Sequence, residues 1–200
     1  MKSLIKYIVL VLITSVITFG QGKDYLKSLQ AKFNTVTDLS ADMVQYTNGQ
    51  KNLEGKFLYK KENHLRIELR NFLVVTDGKT NWNYNKKQKK VIISNYDEND
   101  PSAISLKKII FDYPSKCTVT ETSESGVPVI ELKPGANSGI NAQLIKIWTN
   151  NKNLVKKVLI KSNTGSDIEF RFSNYKINSG LPESEFSFNP PEGIKVIDLR

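Results

Sequence analysis

Few residues of this chain have types and spacings that could support covalent chemistry. His64 is the only histidine, so any hydrolytic triad would have to use it, and its neighbours Glu62 and Asn63 mark the start of a strand. A histidine in this setting is more typical of a surface or edge position than of a general base. Cys117 is the only cysteine, lies in a strand-like run and is expected to be a buried, inert thiol.

The motifs of phosphate binding, serine hydrolysis and metal binding are incomplete. Gly78-Lys79-Thr80 resembles the end of a phosphate-binding loop, but the other glycine of that loop would fall at Leu73, inside a strand pattern. No G-x-S-x-G sequence occurs. The acidic run Asp97–Asp100 has no glycine or distal glutamate in the register of a calcium loop. The sequence therefore predicts no catalytic residue, no metal site and no cofactor.

The N-terminal residues and the charge balance indicate export. Two lysines precede the apolar run Tyr7–Phe19, which is shorter than the roughly 20 residues that span a bilayer. Residues 1–20 are therefore predicted to be a secretory signal peptide, and 21–200 a single mature domain in the periplasm. The net charge of +9 favours anionic lipid headgroups, acidic partners or envelope polymers over nucleic acid as binding partners of an exported chain.

Two segments have the apolar spacing of amphipathic helices. The first carries its apolar residues at offsets of three and four: Tyr25, Leu26, Leu29, Phe33 and Val36. The second is expected to begin with Asp100 as the N-cap and Pro101 at the first helical position. Its apolar face is predicted to consist of Leu106, Ile109 and Ile110. These two helices can cover one face of a sheet.

From Asp38 onward the apolar period changes from 3.6 to 2, which is typical of strands. Strand-like segments recur at short intervals up to residue 176, and turn-forming pairs such as Asn48-Gly49 and Asp77-Gly78 separate them. Consecutive hairpins of this kind predict an antiparallel sheet that coils on itself. The segment around residues 100–111 interrupts the strands as an inserted helix.

Alternation within the strands assigns side chains to faces. One face is rich in apolar and aromatic residues: Phe57, Tyr59, Leu65, Ile67, Leu69, Trp82, Tyr84, Phe170 and Phe172. The other face is polar: Arg66 and Glu68 alternate with Leu65 and Ile67, and Asn81 and Asn83 alternate with Trp82 and Tyr84. The periodicity is equally compatible with the core of an ordinary sandwich or barrel and with the wall of a cavity.

Several short motifs occur along the chain in a fixed order. They are Asp42–Gln45, Gly55–Lys61, Arg66–Glu68, the hairpin D-G-K-T-x-W-x-Y at Asp77–Tyr84 and the tail F-x-F-x-P-P-x-G at Phe186–Gly193. In these motifs and their order the chain resembles the LolA family, the periplasmic carriers that move lipoproteins from the inner to the outer membrane. The resemblance spans nearly the whole mature chain.

The resemblance implies a mainly β (α+β) fold: an incomplete antiparallel β-barrel, or half-barrel, with an N-terminal helix and an inserted helical lid over an apolar cavity. The apolar face above would then line a lipid-binding cavity, with Leu106, Ile109 and Ile110 as the inner face of the lid. In the family a basic residue, usually arginine, bonds lid carbonyls and holds the empty cavity shut. By position this lid latch is Lys61, which lacks the planar fork of arginine.

The resemblance also implies the partners. The cargo would be acylated lipoproteins, the donor an inner-membrane ABC-type exporter, and the acceptor an outer-membrane receptor lipoprotein or the outer membrane itself. The carrier is expected to act as a monomer. Two alternatives are kept: a periplasmic carrier or sensor of another lipid, such as a glycolipid or lipopolysaccharide, and a periplasmic hydrolase that uses His64.

Overall fold

A computed structural model describes residues 24–98 and 105–200. Its strands are β1 (Asp38–Thr47), β2 (Gln50–Lys60), β3 (His64–Leu69), β4 (Phe72–Asp77), β5 (Thr80–Asn85), β6 (Lys90–Asn95), β7 (Cys117–Glu124), β8 (Val127–Pro134), β9 (Leu144–Thr149), β10 (Val155–Lys161), β11 (Ile168–Ile177) and β12 (Lys195–Asp198). They form one twelve-stranded sheet in the order β12-β6-β5-β4-β3-β2-β1-β11-β10-β9-β8-β7. Because β7 and β12 lie at opposite edges and do not pair with each other, the sheet is an open half-barrel. The predicted fold class is confirmed.

All neighbouring strands are antiparallel except β12, which pairs parallel with β6. The meander from β1 to β11 agrees with the strand-like segments of the sequence. The strand β12 was not predicted. Its four residues carry too short a pattern to indicate a strand, and their partner lies about a hundred residues earlier in the chain.

Within the described residues, two helical segments lie against the inner face of the sheet, and a short 3₁₀ turn, Glu183–Phe186, lies in the C-terminal segment. The helix α1 (Tyr25–Asn34) begins at the N-cap Asp24, whose side chain accepts a hydrogen bond from the backbone N–H of Lys27. The inserted helical segment, residues 106–116, contains a π-helical turn at Lys108–Asp112 and a 3₁₀ turn at Tyr113–Lys116. The predicted caps Asp100 and Pro101 and the predicted signal peptide lie outside the described residues.

The sheet has an inner face that carries the hydrophobic core. Adjacent strands place apolar residues opposite one another, for example Ile130 and Ile147, then Ile147 and Val158, then Val158 and Phe170. Ile130 and Ile147 are completely buried. The helix α1 packs onto this face through Leu29 and Phe33. Burial of this apolar surface is the main stabilising contribution to the fold.

The outer face of β3 to β5 is covered by the C-terminal segment, residues 178–188. Phe186 of this segment is completely buried. The side chain of Arg66 donates to the carbonyl oxygen of Glu185 at 3.2 Å, and Lys60 forms an ion pair with Glu183. The sheet in this region therefore has apolar side chains on both faces, one face toward the inserted helical segment and the other toward the C-terminal segment.

Asp38 at the start of β1 anchors this C-terminal segment. Its carboxylate accepts hydrogen bonds from the backbone N–H of Ser179 at 2.9 Å, from the Ser179 hydroxyl at 3.0 Å and from the N–H of Gly180 at 3.1 Å. Burial raises the pKa of the Asp38 carboxyl, but these hydrogen bonds outweigh burial and hold its pKa below the usual value.

We expect Asp38→Asn to lower the free energy of unfolding by about 2 kcal/mol at pH 7, because an amide replaces an acceptor of charged hydrogen bonds. Because the pKa of Asp38 is lower in the folded protein, its ionised carboxylate stabilises the fold fully at pH values above its pKa in the unfolded chain, about 4. This contribution is lost as the pH falls through its pKa in the folded protein. Urea unfolding at pH 7 and below pH 4 measures both effects. The exposed Asp112→Asn is the control, and an equal loss in both variants at pH 7 would contradict the anchor.

Candidate functional site

A cavity of about 270 Å³ lies between the inner face of the sheet and the inserted helical segment. Its lining comes from eight neighbouring strands, β1 to β6, β10 and β11, from the residues after β6 and from the inserted segment. The lining residues are Met43, Gln45, Phe57, Leu65, Ile67, Leu69, Val74, Thr76, Asn81, Asn83, Asn95, Tyr96, Asp97, Leu106, Ile109, Val158, Phe170 and Phe172. Most of the wall is apolar, and polar side chains are concentrated toward β5 and β6.

The structure brings together most of the residues that the sequence assigned to a cavity. Those that line it are Phe57, Leu65, Ile67, Leu69, Leu106, Ile109, Phe170 and Phe172. The rings of Phe57 and Phe172 meet edge to face with centroids 5.4 Å apart. Tyr59 lines a smaller adjoining cavity of about 50 Å³. Ile110 is completely buried in the core cluster and does not line the larger cavity.

Trp82 and Tyr84 do not lie in the cavity, which corrects the expectation from sequence. In the β4–β5 pair, Trp82 lies opposite Val75 and Tyr84 lies opposite Leu73. Both rings therefore point to the outer face, where Tyr84 stacks on Phe188 with centroids 5.2 Å apart. The alternation within β5 was predicted correctly, but its aromatic side faces the C-terminal segment and its asparagine side faces the cavity.

Several residues of the cavity wall were not predicted from the sequence. Met43 and Val158 belong to strands whose faces were not assigned, although their alternation with polar neighbours could have indicated them. Asn81 and Asn83 alternate with the aromatic residues of β5 and were not predicted to line the cavity. Only the pairing of β4 with β5, which sets Asn83 opposite Val74, identifies them as part of the wall.

Polar contacts fix the helical segments above the cavity. The Gln30 side chain of α1 donates to the carbonyl oxygen of Ile110 at 2.9 Å. The Lys107 ammonium donates to Glu98 at 2.9 Å and to the side-chain oxygen of Asn63 at 3.2 Å. The hydrogen bond to Glu98 raises the pKa of Lys107. These few bonds join the inserted segment to α1, to the β2–β3 turn and to the chain after β6.

Lys61, the predicted latch, contacts α1 rather than the inserted segment. Its ammonium donates to the carbonyl oxygen of Asn34, the last residue of α1, at 3.1 Å. A cation at this end of a helix is favourable because the C-terminal carbonyls carry partial negative charge. The contact joins the end of β2 to one of the two helical segments, and its role as a latch stays a prediction.

The opposite end of α1 is held by Glu121 of β7. The two carboxylate oxygens accept hydrogen bonds from the backbone N–H groups of Tyr25 at 2.6 Å and Leu26 at 3.1 Å. These N–H groups have no partner within the helix, and a negative charge there is favourable. Glu121 thus ties the start of α1 to the edge strand of the sheet.

Glu121→Ala is expected to reduce the stability of the protein by about 1–2 kcal/mol, because two helix N–H groups lose their acceptor. Glu121→Gln, which keeps one acceptor oxygen, should lose less. Hydrogen exchange at the α1 amides, together with urea unfolding, measures both changes. Unchanged exchange at α1 in the alanine variant would show that the cap does not hold the helix.

His64 and Cys117 have structural surroundings. The Nδ1 atom of His64 lies 2.8 Å from the carbonyl oxygen of Lys61, and its Nε2 atom lies 3.1 Å from the Glu183 carboxylate. The ring also meets Phe186 edge to face, so His64 belongs to the contact between β3 and the C-terminal segment. Cys117 is half-buried rather than buried, and burial raises the pKa of its thiol. Within residues 24–98 and 105–200, no helix has the length and apolar character needed to cross a membrane.

A mainly antiparallel, open sheet and two helical segments thus enclose an apolar cavity that has the chemistry to hold hydrophobic chains. The sequence model of the family described as outer membrane lipoprotein carrier protein LolA matches residues 27–189. The chain belongs to this family, whose members are carrier proteins and not enzymes.

Individual relatives agree with the family match. An outer-membrane lipoprotein carrier protein of Coxiella burnetii (strain CbuK_Q154) is 24% identical over 177 residues, covering 86% of this chain and 81% of that protein. One of Legionella pneumophila (strain Lens) is 25% identical over 203 residues, covering 96% and 97%. A similar fold occurs in the crystal structure of an uncharacterized conserved protein from Thermus thermophilus, with a TM-score of 0.58, 11% identity and coverage of 87% and 96%.

Proposed function

We propose that this protein is a periplasmic carrier that binds the acyl chains of lipoproteins released from the inner membrane and delivers them to the outer membrane. The observation that carries the proposal is the apolar cavity under the inserted helical segment. Family membership and the names of the relatives support it. An inner-membrane ABC-type exporter is the proposed donor, and an outer-membrane receptor lipoprotein or the membrane itself is the proposed acceptor.

The energetics of acyl chains explain why a carrier needs such a cavity. Each buried methylene contributes about 0.8 kcal/mol, so one sixteen-carbon chain gains roughly 12 kcal/mol on leaving water. A lipoprotein therefore cannot cross an aqueous gap unaided. The carrier must shield this surface and still release it, so its affinity for the chains should lie below that of the destination.

The size of the cavity suggests how loading occurs. A volume of about 270 Å³ is just below the roughly 300–1,000 Å³ that is usual for ligand pockets. We expect acyl chains to enlarge it by displacing the inserted helical segment, which packs into the wall through Leu106 and Ile109. The few polar bonds of Gln30 and Lys107 that fix this segment can be exchanged without unfolding the sheet.

Release of a lipoprotein from inner membranes tests the function directly. Purified mature protein is incubated with spheroplasts that hold a labelled lipoprotein, and the supernatant is analysed by size-exclusion chromatography. We expect the label to elute as a soluble complex of one carrier with one lipoprotein. A mock incubation without the protein is the control. Label that stays in the membrane, with another lipid found in the purified carrier by mass spectrometry, would contradict lipoprotein carriage and indicate carriage of that other lipid.

A further inference from the structure

The polar part of the cavity wall has a composition that acyl chains alone do not require. Asn81 and Asn83 of β5, Asn95 of β6 and Gln45 of β1 all line it. The side chains of Asn81 and Asn83 make no hydrogen bond to other residues of the described ranges. Their amide groups are therefore available to a ligand.

The inner face changes from apolar to polar over two strands. In β3 it presents Leu65 and Ile67. These residues lie opposite Thr76 and Val74 of β4, which in turn lie opposite Asn81 and Asn83. Neighbouring strands are about 4.8 Å apart, so the carboxamides lie roughly 10 Å from the apolar wall of β3. A ligand with its acyl chains on β3 would place its polar linkage at β5.

The charges of the cavity wall restrict the charge that the polar linkage of the ligand can carry. The protein has a net charge of +9, yet no lysine or arginine among the described residues lines the larger cavity, and its one charged lining residue is the acidic Asp97. Lys107, which lines the adjoining small cavity, donates hydrogen bonds to Glu98 and Asn63. An anionic group inside the larger cavity would therefore lack a cationic partner, which is costly.

We propose that Asn81 and Asn83 form a subsite that donates hydrogen bonds to the ester or amide carbonyl oxygens of an uncharged acyl linkage. This inference rests on the proposed function and adds a specificity element to it. A carboxamide supplies two N–H donors without charge, which suits carbonyl acceptors. The apolar wall then binds the chains and the carboxamides set the position of the linkage.

Displacement of the uncharged dye Nile red from the purified protein tests the subsite. Two competitors with identical oleyl-length chains are compared in nonionic micelles: dioleoylglycerol, which has ester carbonyls, and the corresponding dioleyl glycerol ether, which has none. The wild type is expected to bind the ester about 5- to 150-fold more tightly than the ether, as two hydrogen bonds predict. An equal affinity for ester and ether would overturn the subsite.

The double substitution Asn81→Leu/Asn83→Leu should abolish this preference while Nile red still binds, which shows that the cavity is intact. If the double variant does not fold, the single variant Asn83→Leu replaces it, because Asn83 is exposed. This variant should lose part of the preference for the ester. Asn52→Leu on the exposed β1–β2 hairpin is the matched control and should keep it. A full ester preference in the cavity variants would overturn the assignment.

A second pair of competitors distinguishes the source of the carbonyls. A triacylated cysteine peptide and phosphatidylglycerol both contain esters, but only the phospholipid carries a phosphate next to them. At 0.5 M salt, where surface attraction is screened, the peptide is expected to displace the dye at a tenfold or more lower concentration. Equal displacement would overturn the restriction to uncharged linkages. Failure of lipoprotein release from spheroplasts would contradict the function itself, whatever the result of the ester and ether comparison.

Discussion

Leu65→Glu is expected to abolish the release of lipoproteins from spheroplasts while the protein stays folded. Leu65 lines the cavity on β3, opposite Tyr59 of β2 and Thr76 of β4. It is only partly buried, so in the empty protein a glutamate can be hydrated and the sheet can form. When acyl chains enter, the carboxylate would lose water without gaining a partner, at a cost of several kcal/mol.

The expected effect on lipoprotein release is large because release from the membrane depends on the affinity of the carrier for acyl chains. A loss of about 3 kcal/mol in acyl affinity corresponds to a more than hundredfold change in the dissociation constant. The supernatant of the spheroplast assay should then contain less than a tenth of the wild-type label. Val196→Glu introduces the same side chain at a position 48% exposed on the edge strand β12 and should release normally. Normal release by Leu65→Glu would show that acyl chains bind elsewhere.

Gly55→Ala is expected to destabilise the protein by about 3 kcal/mol or more. Gly55 lies in β2 between Met43 of β1 and Leu69 of β3. A Cβ atom at this position would lie 1.9 Å from the carbonyl oxygen of Glu68 and 3.1 Å from the Cα atom of Leu69. Both atoms belong to the backbone, so the clash is relieved only if the β2–β3 pair moves apart.

Urea unfolding of this variant beside Gly135→Ala isolates the steric effect. Neither glycine has a positive φ angle, so backbone conformation does not distinguish them. A Cβ atom on Gly135 would meet its nearest atom, the Lys116 carbonyl oxygen, at an ordinary 3.6 Å. Gly135→Ala should therefore be neutral or slightly stabilising. A change of less than about 0.5 kcal/mol in Gly55→Ala would show that β2 and β3 are not closely packed there.

The close approach at Gly55 also has a consequence for the cavity. The missing side chain allows the backbones of β2 and β3 to come together beside Leu69, which lines the cavity. A partly folded Gly55→Ala protein is therefore expected to lose Nile red binding along with stability. The sequence contained Gly55 within a family motif, but no pattern there indicated a backbone contact with Glu68.

The position of β5 shows where sequence reasoning succeeds and where it fails. Alternation correctly separated Trp82 and Tyr84 from Asn81 and Asn83, because successive side chains of a strand point to opposite faces. It could not decide which face meets the cavity. The usual rule, that aromatic residues face the core, fails here because the C-terminal segment with Phe186 and Phe188 builds a second apolar layer on the outer face.

The contacts of the predicted latch also separate what the sequence predicts from what only the structure shows. Position in the motif identified Lys61, and the structure places its ammonium on the carbonyl oxygen of Asn34 in α1. The contact of the inserted segment with the β2–β3 turn comes instead from Lys107, which reaches Asn63. Asn63 and Lys107 are separated by 44 positions, and no local pattern links them.

The sequence by itself determined the number and order of the meander strands, the turns between them, the two helical segments and the LolA family. These features depend on local periodicity and on motifs within a few residues. Only the tertiary structure decided that β12 pairs with β6 and that carboxamides rather than aromatic rings form one wall of the cavity. Those features depend on which distant segments pack on each face of the sheet. Side chains along a strand alternate with a period of two whether a face is covered by protein or by solvent, so this alternation does not show which face is covered.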